Sequence, residues 1–327
     1  MSNPINIIGI GKSLPNNEVT SLSIDKKLGL ASGTVYQLTG LQKRYFLDDK
    51  SNSLDLVFNA VAEALRHAKL CIDDIDCIIN SSATMEQAIP YNGASTHRLL
   101  NPSRPIPSFD INMTCLSTLR AFDIASNLFS NYNNILIVSC DIASVGLDWN
   151  NIRTAGIFGD GACAMIVTSS NSGGIIVSNF ETHSKGYEYC MIKGGGSKYN
   201  PNNYKGDYKD MSYFEMNGKN LYKLSSKILP SFIDKTLKSK GLKLDDIDWI
   251  VPHQASQSSL NHIVKMLNID KEKFIDIFKT HGNQVSSSIP SALHTLMHTK
   301  ELISGQKVML VGTSAGVGLG LVVWEIP

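Results

Sequence analysis

Cys71-Ile72-Asp73-Asp74-Ile75-Asp76-Cys77-Ile78-Ile79 and Lys243-Leu244-Asp245-Asp246-Ile247-Asp248-Trp249-Ile250-Val251 are one pattern written twice, with Asp246 lying 172 residues after Asp74. Each copy follows a stretch with helical spacing, residues 61–70 in the first and 228–240 in the second. Each then runs into a short continuous apolar segment of the kind a buried strand presents. A repeat of this size is the signature of a duplicated supersecondary unit.

The correspondence extends downstream. Ile135-Leu136-Ile137-Val138-Ser139-Cys140 matches Val308-Met309-Leu310-Val311-Gly312-Thr313 at an offset of 173. Both read as strands covered on two faces. Between these landmarks the first half carries a strand over 107–112 and a helix over 115–129. The second half carries a strand over 274–278, a loop and a helix over about 286–297. The expectation is an α/β chain of two halves, 1–170 and 171–327, each of βαβαβ type. Together they would form two packed, largely parallel sheets with helices on their faces and between them. Residues 181–210, rich in Gly, Tyr, Asn and Lys, break the pattern and read as a long surface excursion.

The 327 residues carry 30 Lys+Arg against 29 Asp+Glu, a formal charge of +1, with 43% hydrophobic and 18% charged residues. That composition excludes a disordered chain. The near-neutral balance argues against a protein that grips nucleic acid or an anionic membrane through its overall field. No apolar run approaches the roughly 18 residues of a membrane-spanning helix. Met1-Ser2-Asn3-Pro4 opens no secretory leader, so a cytoplasmic location is expected.

None of the six cysteines forms a CxxC pair, and five read as small core residues. Cys115 stands apart. It falls where an apolar strand gives way to a helix whose stripe is Leu116, Leu119, Phe122, Ala125 and Leu128. A helix N-terminus favours thiolate, the attacking form, so Cys115 is a candidate nucleophile, weighed against a buried structural cysteine. His253, in Val251-Pro252-His253-Gln254-Ala255, ends a buried strand, and Asn283, in Thr280-His281-Gly282-Asn283-Gln284, sits in a turn after another. Strand ends are where binding and catalysis collect in open α/β sheets. His281 reads as a residue that fixes the turn. The run Gly312-Thr313-Ser314-Ala315-Gly316-Val317-Gly318 lacks the ending of a phosphate loop and leads into a strand, so it fits a close backbone approach to an oxyanion. Phe158-Gly159-Asp160-Gly161-Ala162 reads as a turn packed near the site. No His/Cys/Asp cluster shows ligand spacing, so no catalytic metal is expected.

Taken together, Ile8-Gly9-Ile10-Gly11-Lys12-Ser13-Leu14-Pro15, Thr39-Gly40-Leu41, Phe109-Asp110 before Cys115, the Phe158 turn, Val251-Pro252-His253-Gln254-Ala255 and His281-Gly282-Asn283 resemble the β-ketoacyl-ACP synthases III of the thiolase fold, over essentially the whole chain. The resemblance implies a duplicated five-layer αβαβα fold, a homodimer, and a Cys115-His253-Asn283 active site with an oxyanion hole at the backbone N–H groups of Cys115 and Ala315. It implies acyl transfer to Cys115 and decarboxylative condensation with a malonyl thioester. The substrates would be acyl-CoA or acyl-ACP and malonyl-ACP, the partner an acyl carrier protein, and no cofactor would be held permanently. The alternative is an acyltransferase of the same fold that acts without decarboxylation on an alcohol, amine or other nucleophile in secondary metabolism. A non-catalytic partner subunit is a third reading, and the intact Cys-His-Asn set argues against it.

The chain departs from the family's usual pattern at the adenine clamp, where Thr34 and Leu38 replace a tryptophan and an arginine. Ser256 and Ser258 replace an asparagine and a carrier-docking arginine. Lys223 and Lys265 remain as basic residues for an acidic carrier, and Tyr36, Trp149 or Arg153 could rebuild a nucleotide site. Ile89 and Met113 are expected to shape the acyl pocket.

Overall fold

The Asp-rich repeat has a mechanical reason, visible in the computed structural model, which describes residues 3–327. Each copy makes one 3₁₀ turn, Ile72–Asp74 or Leu244–Asp246. The last Asp of that turn accepts the N–H at its start, at 2.8 Å for Cys71 and 2.7 Å for Lys243. The following Asp ties down the neighbouring strand: Asp76 accepts from Asn133 N–H and Asp248 from Lys307 N–H, both at 2.8 Å. Identical side chains therefore aim two apolar runs into two sheets.

In the first half these elements are β1 (Asn6–Ser13), α1 (Ser53–Ala68), β2 (Cys77–Asn80), α2 (Asn92–Leu100), β3 (Ser108–Asp110), α3 (Ser117–Ala125), β4 (Asn134–Asp141) and β5 (Gly161–Thr168). Their sheet order is β1-β5-β4-β2-β3. The second half holds β6 (Gly174–Thr182), α4 (Gly218–Lys238), β7 (Trp249–Pro252), α5 (Gln257–Met266), α6 (Ser288–Thr299), β8 (Lys307–Ser314) and β9 (Gly318–Glu325), in the order β7-β8-β9-β6. Helix α3 packs against both β4 and β9, and α6 against both β5 and β7, so these two helices fill the layer between the sheets. Helix α1 covers the outside of the first sheet and α4 the outside of the second. Five layers result, with the central core built from residues such as Leu119, Phe122, Leu293 and Trp324. Among the described residues no helix is long and apolar enough to cross a membrane.

Three expectations change. Four of the seven ladders in the two large sheets are antiparallel rather than parallel. The cause is plain at β8 and β9, whose three-residue connection can join only antiparallel strands. Residues 274–278 form no strand, only a bridge from Phe274 to Ile250 and a short helix, Phe278–His281. There the Gln254 side chain takes over the ladder's work, donating to Ile275 C=O at 3.0 Å and accepting Ile277 N–H at 3.0 Å. The stretch 181–210 is no simple surface excursion. Cys190–Ile192 pairs with Phe214–Met216, and Cys190 is buried.

Candidate active site

One cavity of about 1200 Å³ opens between α4 and α5 and reaches the ends of β7 and β8. Cys115, His253 and Asn283 all line it, together with Ala315. The three side chains come from both halves of the duplication and from three different connections.

Cys115 lies in a 3₁₀ turn, Thr114–Leu116, and α3 proper begins two residues later. Thr114 holds φ +48°, a left-handed conformation that a β-branched residue adopts only under constraint. The constraint is visible: Thr114 N–H donates to Asn112 Oδ1 at 2.9 Å, and Ser117 Oγ accepts Met113 N–H at 2.9 Å while donating to Thr114 C=O at 2.7 Å. Burial pushes the Cys115 thiol up to about 12, with the Asp141 charge acting in the same sense and the N–H groups of Ala315 and Cys115 opposing it. The dipole argument anticipated a thiolate. Desolvation opposes the helix-end effect, and the site as a whole favours the thiol form of Cys115.

His253 continues the β7 ladder through its N–H to Val311 C=O at 2.8 Å. Its ring is buried and its Nδ1 has no partner. Burial lowers its pKa to about 4, so the imidazole is neutral at physiological pH. Gly312 makes room for it, since a Cβ there would stand 2.7 Å from His253 Cβ. The Asn283 amide is oriented: Oδ1 accepts Val285 N–H at 2.9 Å and Ser288 Oγ–H at 3.4 Å, and Nδ2 makes only a long 3.4 Å bond to Ala255 C=O. The donor end is thereby left available.

The Phe158 turn is the wall behind Asn283. Asn283 N–H donates to Ile157 C=O at 2.8 Å and Gly159 N–H to Asn283 C=O at 3.1 Å. A Cβ at Gly159 would lie 2.1 Å from His281 C=O, so only glycine fits. Asp160 accepts Leu47 N–H at 2.8 Å and Ser144 N–H at 2.9 Å, a loop anchor rather than a ligand. Asp141, at the end of β4, is a residue the sequence reading missed. Fully buried, it accepts Ala83 N–H at 2.9 Å, Thr84 N–H at 2.7 Å and Ser286 N–H at 2.8 Å, as well as the Ser286 hydroxyl. It binds a loop of the first half to the Asn283 turn of the second. A lone Asp after an apolar strand carries no local signal of that role.

Other expected residues divide. Leu38 and Arg153 line the cavity, whereas Thr34, Tyr36 and Trp149 do not. Ser256 lines it too and caps α5, accepting Ser259 N–H at 3.2 Å, a task serine performs as well as asparagine. Ser258 lies at the rim, exposed. Lys223 and Lys265 are exposed on α4 and α5, the helices that frame the opening. Ile89 and Met113 do not form the pocket: Ile89 is 87% exposed on a loop outside it, and Met113 packs into the central core. The apolar walls are instead Leu229, Ile233, Met266 and, from the supposed excursion, Cys190 and Ile192.

The fold is that of the thiolase-type condensing enzymes. Residues 109–186 match the family described as 3-oxoacyl-[acyl-carrier-protein (ACP)] synthase III, and residues 237–326 match its C-terminal counterpart. The Beta-ketoacyl-[acyl-carrier-protein] synthase III of Wolbachia pipientis subsp. Culex pipiens is 30% identical over 320 residues, covering 97% of each chain. The enzyme of that name from Neisseria gonorrhoeae is 29% identical over 321 residues, covering 98% of each. The crystal structure of 3-oxoacyl-[acyl-carrier-protein] synthase III from Aquifex aeolicus superimposes with a TM-score of 0.87 at 25% identity, covering 98% of this chain and 99% of that one. The chain belongs to the 3-oxoacyl-[acyl-carrier-protein] synthase III family, and it is an acyltransferase of the condensing class.

Proposed function

We propose that the protein forms a β-ketoacyl thioester by condensing an acyl group held on Cys115 with a malonyl unit carried by acyl carrier protein. The observation that carries this reading is the convergence on one cavity of a thiol, a neutral imidazole and an amide whose N–H end is left available. Cys115 sulfur attacks the acyl thioester carbonyl, and the donor thiol departs with the proton that Cys115 gives up. The oxyanion of that step sits between the N–H groups of Cys115 and Ala315. The malonyl thioester then loses CO2. Its enolate oxygen accepts hydrogen bonds from His253, through Nε2, and from Asn283 Nδ2. The carbanion attacks the Cys115 thioester carbonyl, the C–S bond breaks, and Cys115 leaves as the thiolate and takes a proton from water.

The cavity exceeds the roughly 300–1,000 Å³ of a drug-sized ligand site, which leaves room for an acyl chain beside the pantetheine arm. Lys223 and Lys265 would meet an acidic carrier protein at the mouth. No cofactor is bound permanently in this reading, the molecule works as a homodimer in the cytoplasm, and the halves 1–170 and 171–327 supply the nucleophile and the decarboxylation pair respectively. Without an aromatic or a cationic side chain at Thr34 and Leu38, the adenine of coenzyme A loses two contacts worth on the order of 0.5–2 kcal/mol each. Affinity for the nucleotide of acyl-CoA should therefore be about one to two orders of magnitude below that of a site with both contacts. The donor is then carrier-protein-bound or recognised chiefly through its acyl group and pantetheine, and acyl-CoA should load Cys115 no faster than matched acyl-ACP or acyl-N-acetylcysteamine. Faster loading from acyl-CoA would show that Arg153 or another residue restores the nucleotide site. The function itself is tested by supplying malonyl-ACP to the acyl-loaded protein and reading the product mass. A β-ketoacyl product with release of CO2 is expected, and transfer of the acyl group with the carboxylate retained would favour the non-decarboxylating alternative.

A further inference from the structure

Lys12 lies on β1, the edge strand of the first sheet, with its side chain half-buried. Glu63 of α1 accepts its backbone N–H at 2.8 Å. Among the described residues its ammonium makes no ion pair, and it stands 3.2 Å from His281 Nε2, in the second half. A charged lysine has donors and no acceptor, so that ring nitrogen carries the lone pair. The opposite side of the ring agrees. Thr280 Oγ1 donates to Ile277 C=O at 3.2 Å and lies 2.9 Å from His281 Nδ1, which therefore holds the ring proton and donates to the hydroxyl oxygen. Burial, with the Lys12 charge acting in the same sense, pushes the His281 pKa down to about 3, so the ring is neutral. One tautomer is thereby fixed from two sides. Neither Lys12 nor His281 lines the large cavity.

We infer that Lys12 is a positioning residue for the condensation step: its hold on the His281 ring fixes the turn that aims the Asn283 amide into the cavity. The inference rests on the role proposed above for Asn283. His281 reaches Asn283 through one residue, Gly282, which sits at φ +72° with its N–H on Phe278 C=O at 2.9 Å. The His281 carbonyl packs against Gly159, whose N–H in turn donates to Asn283 C=O at 3.1 Å. The backbone from His281 to Asn283 is thus clamped, and the imidazole is the handle by which β1 reaches it. Beyond Asn283 the same turn is tied to the first half by Asp141, through Ser286. Lys12 supplies the matching tie on the near side, so the amide hangs between two anchors from one half. Packing alone gives no reason for a lysine here. A half-buried ammonium without a carboxylate partner costs desolvation free energy, and a methionine of similar length would fill the space without it.

The test compares wild type, Lys12→Met, Lys12→Arg, His281→Phe and the double variant Lys12→Met with His281→Phe. In Lys12→Met the condensation kcat with malonyl-ACP should fall about tenfold, part of the roughly 10²-fold that a 1 Å misplacement costs. The KM for malonyl-ACP and the rate of acyl loading on Cys115 should stay within about twofold of wild type, the pattern of an interaction that serves one chemical step. Lys12→Arg should recover most of the rate. The double variant should lose no more than His281→Phe alone, because both changes remove one contact. The nitrogen-15 spectrum of the imidazoles reads that contact without any chemistry: an Nδ1–H tautomer for His281 in wild type, and a displaced Nε2 signal in Lys12→Met. An Nε2–H tautomer in wild type, additive losses in the double variant, or a loss of loading equal to the loss of condensation would each overturn the inference. Condensation by Lys12→Met at the wild-type rate would overturn it alone and leave the proposed function standing. A wild-type protein that loads but never condenses would contradict the proposed function and, with it, the role given to Lys12.

Discussion

The turn from Asn112 to Ser117 and the turn from Asn283 to Ser288 are the same device, 171 residues apart. In each, the asparagine Oδ1 accepts the N–H two residues on, Thr114 or Val285, at 2.9 Å. In each, that residue is β-branched and left-handed, with φ +48° and +51°. In each, the closing serine Oγ accepts the N–H four residues back, Met113 or Gln284, at 2.9 Å, and a 3₁₀ turn leads into a central helix. Yet they serve the cavity through different positions. The first presents its fourth residue, Cys115, and leaves Asn112 exposed outside the cavity. The second presents its first residue, Asn283, and turns its fourth, Ser286, onto the buried Asp141. One strained scaffold thus brings a thiol to the cavity in one half and an amide in the other, and what lies opposite each turn decides which. Two strained positions cost on the order of 1–3 kcal/mol each, offset by the bonds that enforce them.

Substitutions at matched positions should separate the halves. Asn283→Ala is expected to load an acyl group normally and to lose about 10²–10³-fold in condensation rate, the size of one missing preorganised donor. Product formation at the wild-type rate would remove Asn283 from the chemistry. Ser286→Ala, the mate of Cys115, should load and condense. It gives up a buried charge-assisted bond to Asp141, so chemical denaturation should show a loss of about 1–3 kcal/mol. Asn112→Ala, the mate of Asn283, should cost only about 1 kcal/mol for one exposed bond, with condensation nearly unchanged. A collapse of condensation in Asn112→Ala would mean that the two turns are coupled more tightly than their separate roles require.

A separate effect concerns acid. His253 is held near 4 in the folded chain by burial, against an ordinary value of 6.5. Above pH 6.5 it is neutral in both states and contributes no slope. Between about 6.5 and 4 the unfolded chain binds a proton that the folded chain refuses, so stability falls as pH falls through that window. The melting temperature should decline from pH 7 to pH 5, and less steeply in His253→Ala. Equal slopes would mean that His253 takes up its proton in the folded state.

The repeat was legible because a capped 3₁₀ turn needs Asp at fixed places, so both copies kept Asp-Asp-Ile-Asp. Cys115, His253 and Asn283 stood out by their surroundings, and the fold brings all three to one cavity, although only His253 directly follows a strand. Asp141 was not, because its partners Thr84 and Ser286 lie 57 and 145 residues away. The Cys190 wall was hidden inside a Gly- and Asn-rich stretch whose average polarity masked a few inward side chains. The strand expected over 274–278 failed because one buried amide, on Gln254, replaced a ladder that apolar character alone suggested. Ile89 and Met113 failed for want of direction, since periodicity places a residue on an element but not a loop side chain in a cavity.

The central claim is that Cys115 alone carries the acyl group, and intact-protein mass after exposure to a panel of acyl thioesters, followed by peptide mapping, tests it most directly. The account predicts a single acyl increment in wild type and in Asn283→Ala, mapping to the Cys115 peptide, and none in Cys115→Ala. An increment that persists in Cys115→Ala, or a wild-type chain that no acyl thioester loads, would contradict it.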